Sequence, residues 1–485
     1  VKKERIKTFV LVLLIANSLF LTGQIWFREE LWSQDYNSFV TLSKIKNVFS
    51  KIFTNDEEEH ANIEHFFYPR KIVLNDGNNR NVYHYGNSQF IDLNNEINTV
   101  FQLFLQNEQV KMQTSTEEEW LNILKGKSFY IDYGVSFNVN VLARFFGGKA
   151  SDILSQISTI KEFILVPGDL VTNNIMFYIK DSKDNSIRKF LMNYDKSKLL
   201  NLIEQFVSKE QLNYTFSFEQ KFDKMDPDKP VVLDPEILIP KEFYLPKGVQ
   251  IKSNNPLNMN NPIHIVESFG YNPNTTRKYT EADNTVVYVE NYSRLKIHPT
   301  GFIEYTATAE NKGLLLPPAT ADGTKNTTDS QISAKDSTVL SLYESLNRVI
   351  SHINRVWNNN EYLFISSDVD ENANKPGVYK FTFDYYYNGM PIIMEEPLYH
   401  AVEVEVENGR LKSYKHYIRE YEEYGEHDEE VIPMLLALDN IYKSLAPEQS
   451  NIKVDDVFLG FWEKGGNTVL KPKWGIRIGE RIITD

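Results

Sequence analysis

The chain has 485 residues, with 66 acidic against 52 basic side chains and a formal charge of −14. Such a surplus repels a phosphate backbone, whose binding depends on Lys and Arg neutralising phosphates, so nucleic acid is not expected as a partner. The absence of Cys excludes disulfides, thiolate nucleophiles and cysteine metal sites together, while 27 Tyr and 30 Phe supply material for folded cores.

Residues 1–8 carry Lys2, Lys3, Arg5 and Lys7 and read as a cytoplasmic start. Phe9 to Phe27 is uncharged, and at about 1.5 Å per residue it reaches roughly 28 Å, enough for the hydrocarbon core. Arg28 is followed at once by Glu29 and Glu30, so the positive charge lies on the N-terminal side. That bias predicts a single-pass protein of the cell membrane, in contact with membrane lipid, with the bulk of the chain extracytoplasmic. A cleavable signal peptide shares the basic start, but its apolar stretch is usually about 7 to 15 residues with a small-x-small site after it. Here Ile25, Trp26 and Phe27 close the segment instead, and aromatic rings suit the membrane interface.

A span that only anchors has no use for polar residues. Asn17 and Gln24 are seven apart, as are Ala16 and Gly23 one position round on the same side. Small residues permit close helix approach and amides hydrogen-bond across it. Ala16, Asn17, Phe20, Gly23 and Gln24 are therefore expected to face another transmembrane helix. The alternative, a polar residue tolerated near a helix end, suits Gln24 better than Asn17.

Residues 28–60 read as a juxtamembrane stalk, because Phe39, Leu42, Ile45, Val48, Phe49, Ile52 and Phe53 recur at helical steps. A first α+β unit is placed at 61–230. It opens with strands at Lys71–Leu74 and Asn81–Tyr85, then helices over about 92–106 and 116–125. Strands SFYIDY and NIMFYIKD follow, then a helix over 196–209 and the strand YTFSFEQ. DPDKP and VLDPEILIP concentrate prolines that interrupt helix and sheet, marking a boundary near Asp226 to Pro240.

The second half repeats itself weakly, suggesting a middle unit at 231–398 and a related C-terminal unit at 399–485. Each begins with a hairpin, carrying Gly301 and Tyr305 in the first copy and Gly409 and Tyr414 in the second. A helix follows, over 339–357 or 431–443, and then strands that end in a tight turn at Gly389 or Gly479. The copies differ by one residue between the early Gly and Tyr, and the first carries a polar insertion from Lys312 to Ser337. The expected class is α+β with mostly antiparallel sheets and packed helices, behind one N-terminal transmembrane helix.

No catalytic signature is complete, and no catalytic, cofactor or metal residue is assigned. GKS at Gly126 to Ser128 lacks the earlier Gly of a phosphate-cradling loop, since Leu121 stands there, and reads as a helix-to-strand turn. Ser43 with Lys46 and Ser186 with Lys189 match SxxK without its companion motifs. His427 amid Glu426, Asp428, Glu429 and Glu430 gathers possible metal ligands but reads as a solvated loop.

The N-terminal KKERIKTFVLVLLIANSLFLTGQIWF, together with EVENGRLKSYKHYI, LGFW and KPKWGIRI near the other end, resembles the YycH (WalH) family over nearly the whole chain. That resemblance implies a membrane-anchored accessory protein of Gram-positive bacteria. It would associate with a YycI-like membrane protein and a YycG (WalK)-like sensor histidine kinase, modulating signalling that governs cell-wall metabolism without catalysis. Two other classes stay open, a ligand-binding or scaffolding ectodomain and an enzyme acting on cell-wall material. A pocket in which two carboxylates with raised pKa face each other would favour the enzyme.

Overall fold

The computed structural model describes residues 64–168, 174–207, 212–220, 231–241, 246–252, 262–290, 292–309, 312–318, 340–371, 375–394, 400–425, 431–444, 452–464, 468–479 and 481–484. The start 1–8, the apolar segment 9–27 with Ala16, Asn17, Phe20, Gly23 and Gln24, and the stalk 28–60 lie outside them. Among the described residues no helix is long and apolar enough to cross a membrane.

Seven strands make the first sheet: β1 (Lys71–Asn75), β2 (Arg80–Tyr83), β3 (Lys111–Ser115), β4 (Ser128–Asn138), β5 (Thr159–Pro167), β6 (Asn174–Asp181) and β7 (Ile187–Asn193). They are antiparallel throughout, in the order β2-β1-β4-β5-β6-β7-β3. Because successive side chains of a strand point to opposite faces, Ile72 and Leu74 enter one core and Val73 another.

Helix α1 (Phe90–Gln106) covers the first face. Phe90, Leu93, Ile97, Val100, Phe101, Phe104 and Leu105 recur at three- and four-residue steps and are buried. Phe101 stacks on Phe163 at 4.4 Å and Phe104 on Phe177 at 4.2 Å. Helix α2 (Glu117–Ile123), capped by the Thr116 side chain, sends Trp120 into the second core. The Gly126 to Ser128 stretch turns from α2 into β4, with Gly126 N donating to Ile123 O at 3.0 Å. Two more helices, α3 (Val139–Phe145) and α4 (Lys196–Phe206), contribute Val141, Leu142, Leu199 and Ile203 to the first core.

The strand expected over YTFSFEQ is shorter, β8 (Tyr214–Phe216), and a 3-10 turn at Ser217–Glu219 replaces its end. The Glu219 carboxylate accepts from Phe216 N and Thr215 Oγ1, which folds the chain back before the strand can extend. The proline-rich stretch forms two strands where an interruption of sheet was expected. β9 (Val231–Leu233) and β10 (Leu238–Pro240) flank Pro235, and β10 pairs antiparallel with β8.

Beyond β11 (Gly248–Ile251) and α5 (Ile263–Ser268), the chain builds a large sheet. Its early strands are β12 (Arg277–Thr280), β13 (Val286–Glu290), β14 (Ser293–Ile297), β15 (Phe302–Ala307) and β16 (Leu314–Leu315). Helix α6 (Leu342–Val356) precedes β17 (Leu363–Ile365), β18 (Val378–Tyr387) and β19 (Met390–Met394). Then come β20 (Val402–Glu407), β21 (Arg410–Tyr417), β22 (Tyr421–Tyr424), α7 (Met434–Ser444) and β23 (Ile452–Val454). The last strands are β24 (Asp456–Glu463), β25 (Val469–Leu470), β26 (Pro472–Ile478) and β27 (Arg481–Thr484).

The sheet runs β12-β13-β14-β15-β21-β20-β18-β19-β24-β26-β27, with β16 on β21 and β17 on β18. It passes straight across position 398, since β20 and β21 insert between β15 and β18. The halves meet again where β19 pairs with β24 in parallel. Both halves also close a hairpin after their helix. Asn388 and Gly389, at φ 48° and 75°, turn β18 into β19, and Gly479, at φ 59°, lies between β26 and β27. Two positive φ values in succession match the twist of the flanking strands, which explains the Asn-Gly pair.

The first sheet is clasped to the large one. Asn138 N donates to Val369 O at 2.8 Å, Val369 N to Ser136 O at 2.7 Å, and Ser136 N to the Asp368 carboxylate at 2.7 Å. Asp370 adds an ion pair to Lys183 at 2.6 Å.

Candidate functional site

The described residues include a cleft of about 640 Å³ where β1, β4, β5 and β6 face the hairpins of the C-terminal half. One wall follows from strand register alone. Lys71 stands opposite Asp132, Asp132 opposite Glu162, and Glu162 opposite Lys180, so four neighbouring strands set a row of two adjacent carboxylates flanked by a lysine at each end. Two residues along, Val73, Tyr130, Ile164 and Tyr178 form the corresponding row of the second core. Charge thus begins where the apolar part of each strand ends.

Every inner member of the row has a donor. Lys71 Nζ lies 3.2 Å from Asp132, and the Tyr130 hydroxyl donates to Glu162. Lys180 reaches past the row to Glu236 at 3.3 Å, and Trp120 Nε1 donates to the same carboxyl oxygen at 2.9 Å. Burial works to raise Asp132, but Lys71, Lys161 and the Gly134 amide hold it below the ordinary carboxylate value. Burial and the neighbouring Asp132 push Glu162 up. Burial, the hydrogen bond to Asp234 and the charge of Glu162 push Glu236 up to about 8.

The opposite wall includes Asp456 and Arg477, cross-strand partners on β24 and β26, with Phe458 and Trp474 beside them. At the hairpin end, the Arg70 guanidinium lies over the Tyr386 ring at 3.9 Å and donates to Ile365 O. The cleft therefore offers two carboxyl groups that hold protons readily, a mixed-charge wall and an aromatic edge. It meets the raised-carboxylate part of the condition set for an enzyme. Tyr130, Trp120 and Lys180 already occupy those carboxyls, which makes the row a satisfied buried network as it stands.

The sequence motifs do not converge on this cleft. Ser186 precedes β7 and Lys189 lies on it, so their spacing is that of a strand; Lys189 pairs with Glu119 at 3.0 Å. Ser43, Lys46 and the 426–430 cluster lie outside the described residues, as do the five expected interface residues of the apolar segment. Among the described residues no group of three or more His, Asp or Glu is arranged to hold a metal ion. Ser366, His400 and Asp384 gather on the large sheet, but Nδ1 of the histidine faces both Ser366 (3.4 Å) and Asp384 (3.1 Å). A proton relay needs the two ring nitrogens on different partners. No sequence motif marks the cleft, because its residues come from many separate segments. The readable trace is a charge ending an apolar run, as in SFYID, TIKE and MFYIKD.

No protein-family model matches the chain, and no curated protein matches it. Among solved structures, the crystal structure of YycH from Bacillus subtilis superimposes with a TM-score of 0.53 at 13% sequence identity, covering 87% of this chain and 96% of that one. The fold is YycH-like. At that identity the likeness is one of architecture, and it accounts for the α+β class and the mostly antiparallel sheets. The likeness covers more of the chain than any one of the expected units spans.

Proposed function

We propose that this protein is a non-catalytic, membrane-anchored regulator of a sensor histidine kinase of the YycG (WalK) kind, acting with a YycI-like membrane protein in cell-wall signalling. The observation that carries the reading is the YycH-like fold over 87% of the chain. The basic start and the uncharged Phe9 to Phe27 segment support it, since they fit a span with the ectodomain outside. In this reading Ala16, Asn17, Phe20, Gly23 and Gln24 contact a neighbouring helix and bias the kinase between signalling states. A regulator that bound both states equally would shift nothing, so the contact must differ between them.

The deciding experiment replaces residues 6–27 with a neutral polyleucine-like span and measures kinase output and co-purification. Loss of both supports the reading, and unchanged output with unchanged co-purification overturns it. A second reading, an extracytoplasmic ligand-binding or scaffolding protein, is favoured by the charged cleft. It expects the span to be exchangeable and changes at Glu162 or Glu236 to alter output.

A further inference from the structure

The cleft holds charges that the protein leaves uncompensated. Lys161 of β5 lines one wall, and Asp456 and Arg477 of β24 and β26 line the other. Among the described residues, none of the three has an ion-pair partner or a side-chain hydrogen bond. A β-bulge places Lys161. Ile160 pairs with Asp181 and Glu162 with Lys180, while toward β4 the pairing jumps from Phe137 to Asp132, so Lys161 has no partner on either neighbouring strand. A bulge re-aims a side chain out of the regular alternation, and Lys161 stands exposed. On the facing wall, register sets Arg477 opposite Asp456, yet the guanidinium turns to the Phe458 ring, 5.9 Å from its centroid. Asp456 is thereby left open. Its charge reaches Lys71 and Lys161 across the cleft and favours their protonated forms, but it pairs with neither.

We propose that the cleft binds a short peptide with free ends, its ammonium on Asp456 and its carboxylate on Lys161, with the chain between them along the aromatic edge at Tyr386 and Phe458. The proposal rests on the ligand-binding reading of the cleft and gives that ligand a class. Opposite charges that face each other across a gap are satisfied together only by an occupant carrying both signs in reverse order. A plain anion would meet Asp132, Glu162 and Asp456 as well as Lys161, and a plain cation would meet Lys71 and Lys161 as well as Asp456. A ligand of one sign therefore loses against one group what it gains against another. Two opposite charges joined by a neutral polar stretch are the chemistry of a short peptide. The volume of about 640 Å³ lies within the range of small-ligand clefts, roughly 300–1,000 Å³.

The test is calorimetric titration of the full-length protein in detergent with the tripeptide Ala-Phe-Ala, its N-acetyl form and its C-terminal amide. The free tripeptide should bind about tenfold or more tighter than either capped form, since each cap removes one charged contact. Asp456→Asn should erase the difference between the tripeptide and its N-acetyl form, and Lys161→Met the difference between the tripeptide and its amide. Each variant should keep the other discrimination, which a general loss of structure would not allow. Equal binding of the three peptides, no binding at millimolar concentration, or variants that weaken all three alike overturns the proposal. If a variant does not fold, the wild-type discrimination among the three peptides decides alone. Kinase output from Glu162→Gln separates this failure from that of the ligand-binding reading. Altered output would leave a ligand-binding cleft of another specificity, and unchanged output would remove both.

Discussion

Tyr305 and Tyr414, which occupy corresponding places in the two weakly similar halves, stand directly opposite each other on β15 and β21. Phe269 touches both rings, stacked on Tyr305 at 5.2 Å and edge-on to Tyr414 at 5.3 Å. The middle of the large sheet is therefore held by an aromatic from α5's end set between two tyrosines that the halves contribute separately. Phe269→Ala should destabilise the folded region by about 3–5 kcal/mol, because it removes a buried ring from a site with little room to collapse. Urea unfolding measures this, with Ile263→Ala, at an exposed position of the same helix, as the control.

His352 and His416 lie in the same core, 1% and 0% exposed. Burial pushes each down to about 3, with Arg355 lowering His352 further and His352 lowering His416 further. In the unfolded chain both would titrate near 6.5. Their depressed values mean that full stability is present above about pH 6.5 and is lost progressively as pH falls toward 3, where the unfolded chain binds protons that the native one refuses. Among the described residues, neither ring nitrogen of His352 has a hydrogen-bond partner. His352→Leu should reduce the acid slope of unfolding free energy, and an unchanged slope would show that another group causes it.

Gly389 combines two demands. Its φ is +75°, and a Cβ there would stand 2.2 Å from Cγ of His84. Gly479 shares the positive φ, at +59°, but an added Cβ there meets no atom of the described residues within 4 Å. Gly389→Ala should therefore cost about 1–3 kcal/mol and Gly479→Ala distinctly less, since only backbone strain acts at the second. Parallel thermal melts of the two variants would check the order.

The clasp between the sheets rests on short polar contacts. Asp368→Ala leaves the Ser136 amide without its acceptor, and Asp370→Ala frees both Asn138 and Lys183. Each should weaken the clasp by about 1–3 kcal/mol, the cost of stranding a part-buried donor. Hydrogen exchange at 136–138 and 367–370 should rise while β6 stays protected.

In the apolar N-terminal segment, Asn17→Leu with Gly23→Ile should abolish or redirect crosslinks to neighbouring membrane helices. Unchanged crosslinks would mean that Ala16, Asn17, Phe20, Gly23 and Gln24 do not form the contact face.

Helices with strict apolar spacing were legible to within a few residues, as α1 and α6 illustrate, because one buried stripe determines both their period and their length. The hairpin turns at Gly389 and Gly479 were legible from the glycine, since a tight turn there takes a positive φ. The one-residue difference between the Gly–Tyr spacings also has a structural counterpart. Between β20 and β21 the pairing jumps from Ser413 to Leu411, leaving Lys412 as a bulge residue. Strands β3, β5 and β7 were not anticipated. The polar edge strand β3 lacks an apolar run, and the identity of a strand's neighbours is decided by non-local pairing. The cleft was illegible because its row exists only once four strands are in register, and β9 and β10 because the prolines around Pro235 read as an interruption.

The order of strands in the large sheet has a consequence for biogenesis. β15 and β18 are synthesised first, yet each completes its pairing only with β21 or β20, which leave the ribosome roughly 20 to 110 residues later. Until then the growing polypeptide carries two open apolar edges that invite the wrong partner. A chain truncated before residue 400 would keep those edges permanently, so this half of the molecule should depend on holdase assistance far more than the seven-stranded sheet, whose strands are all made before residue 194.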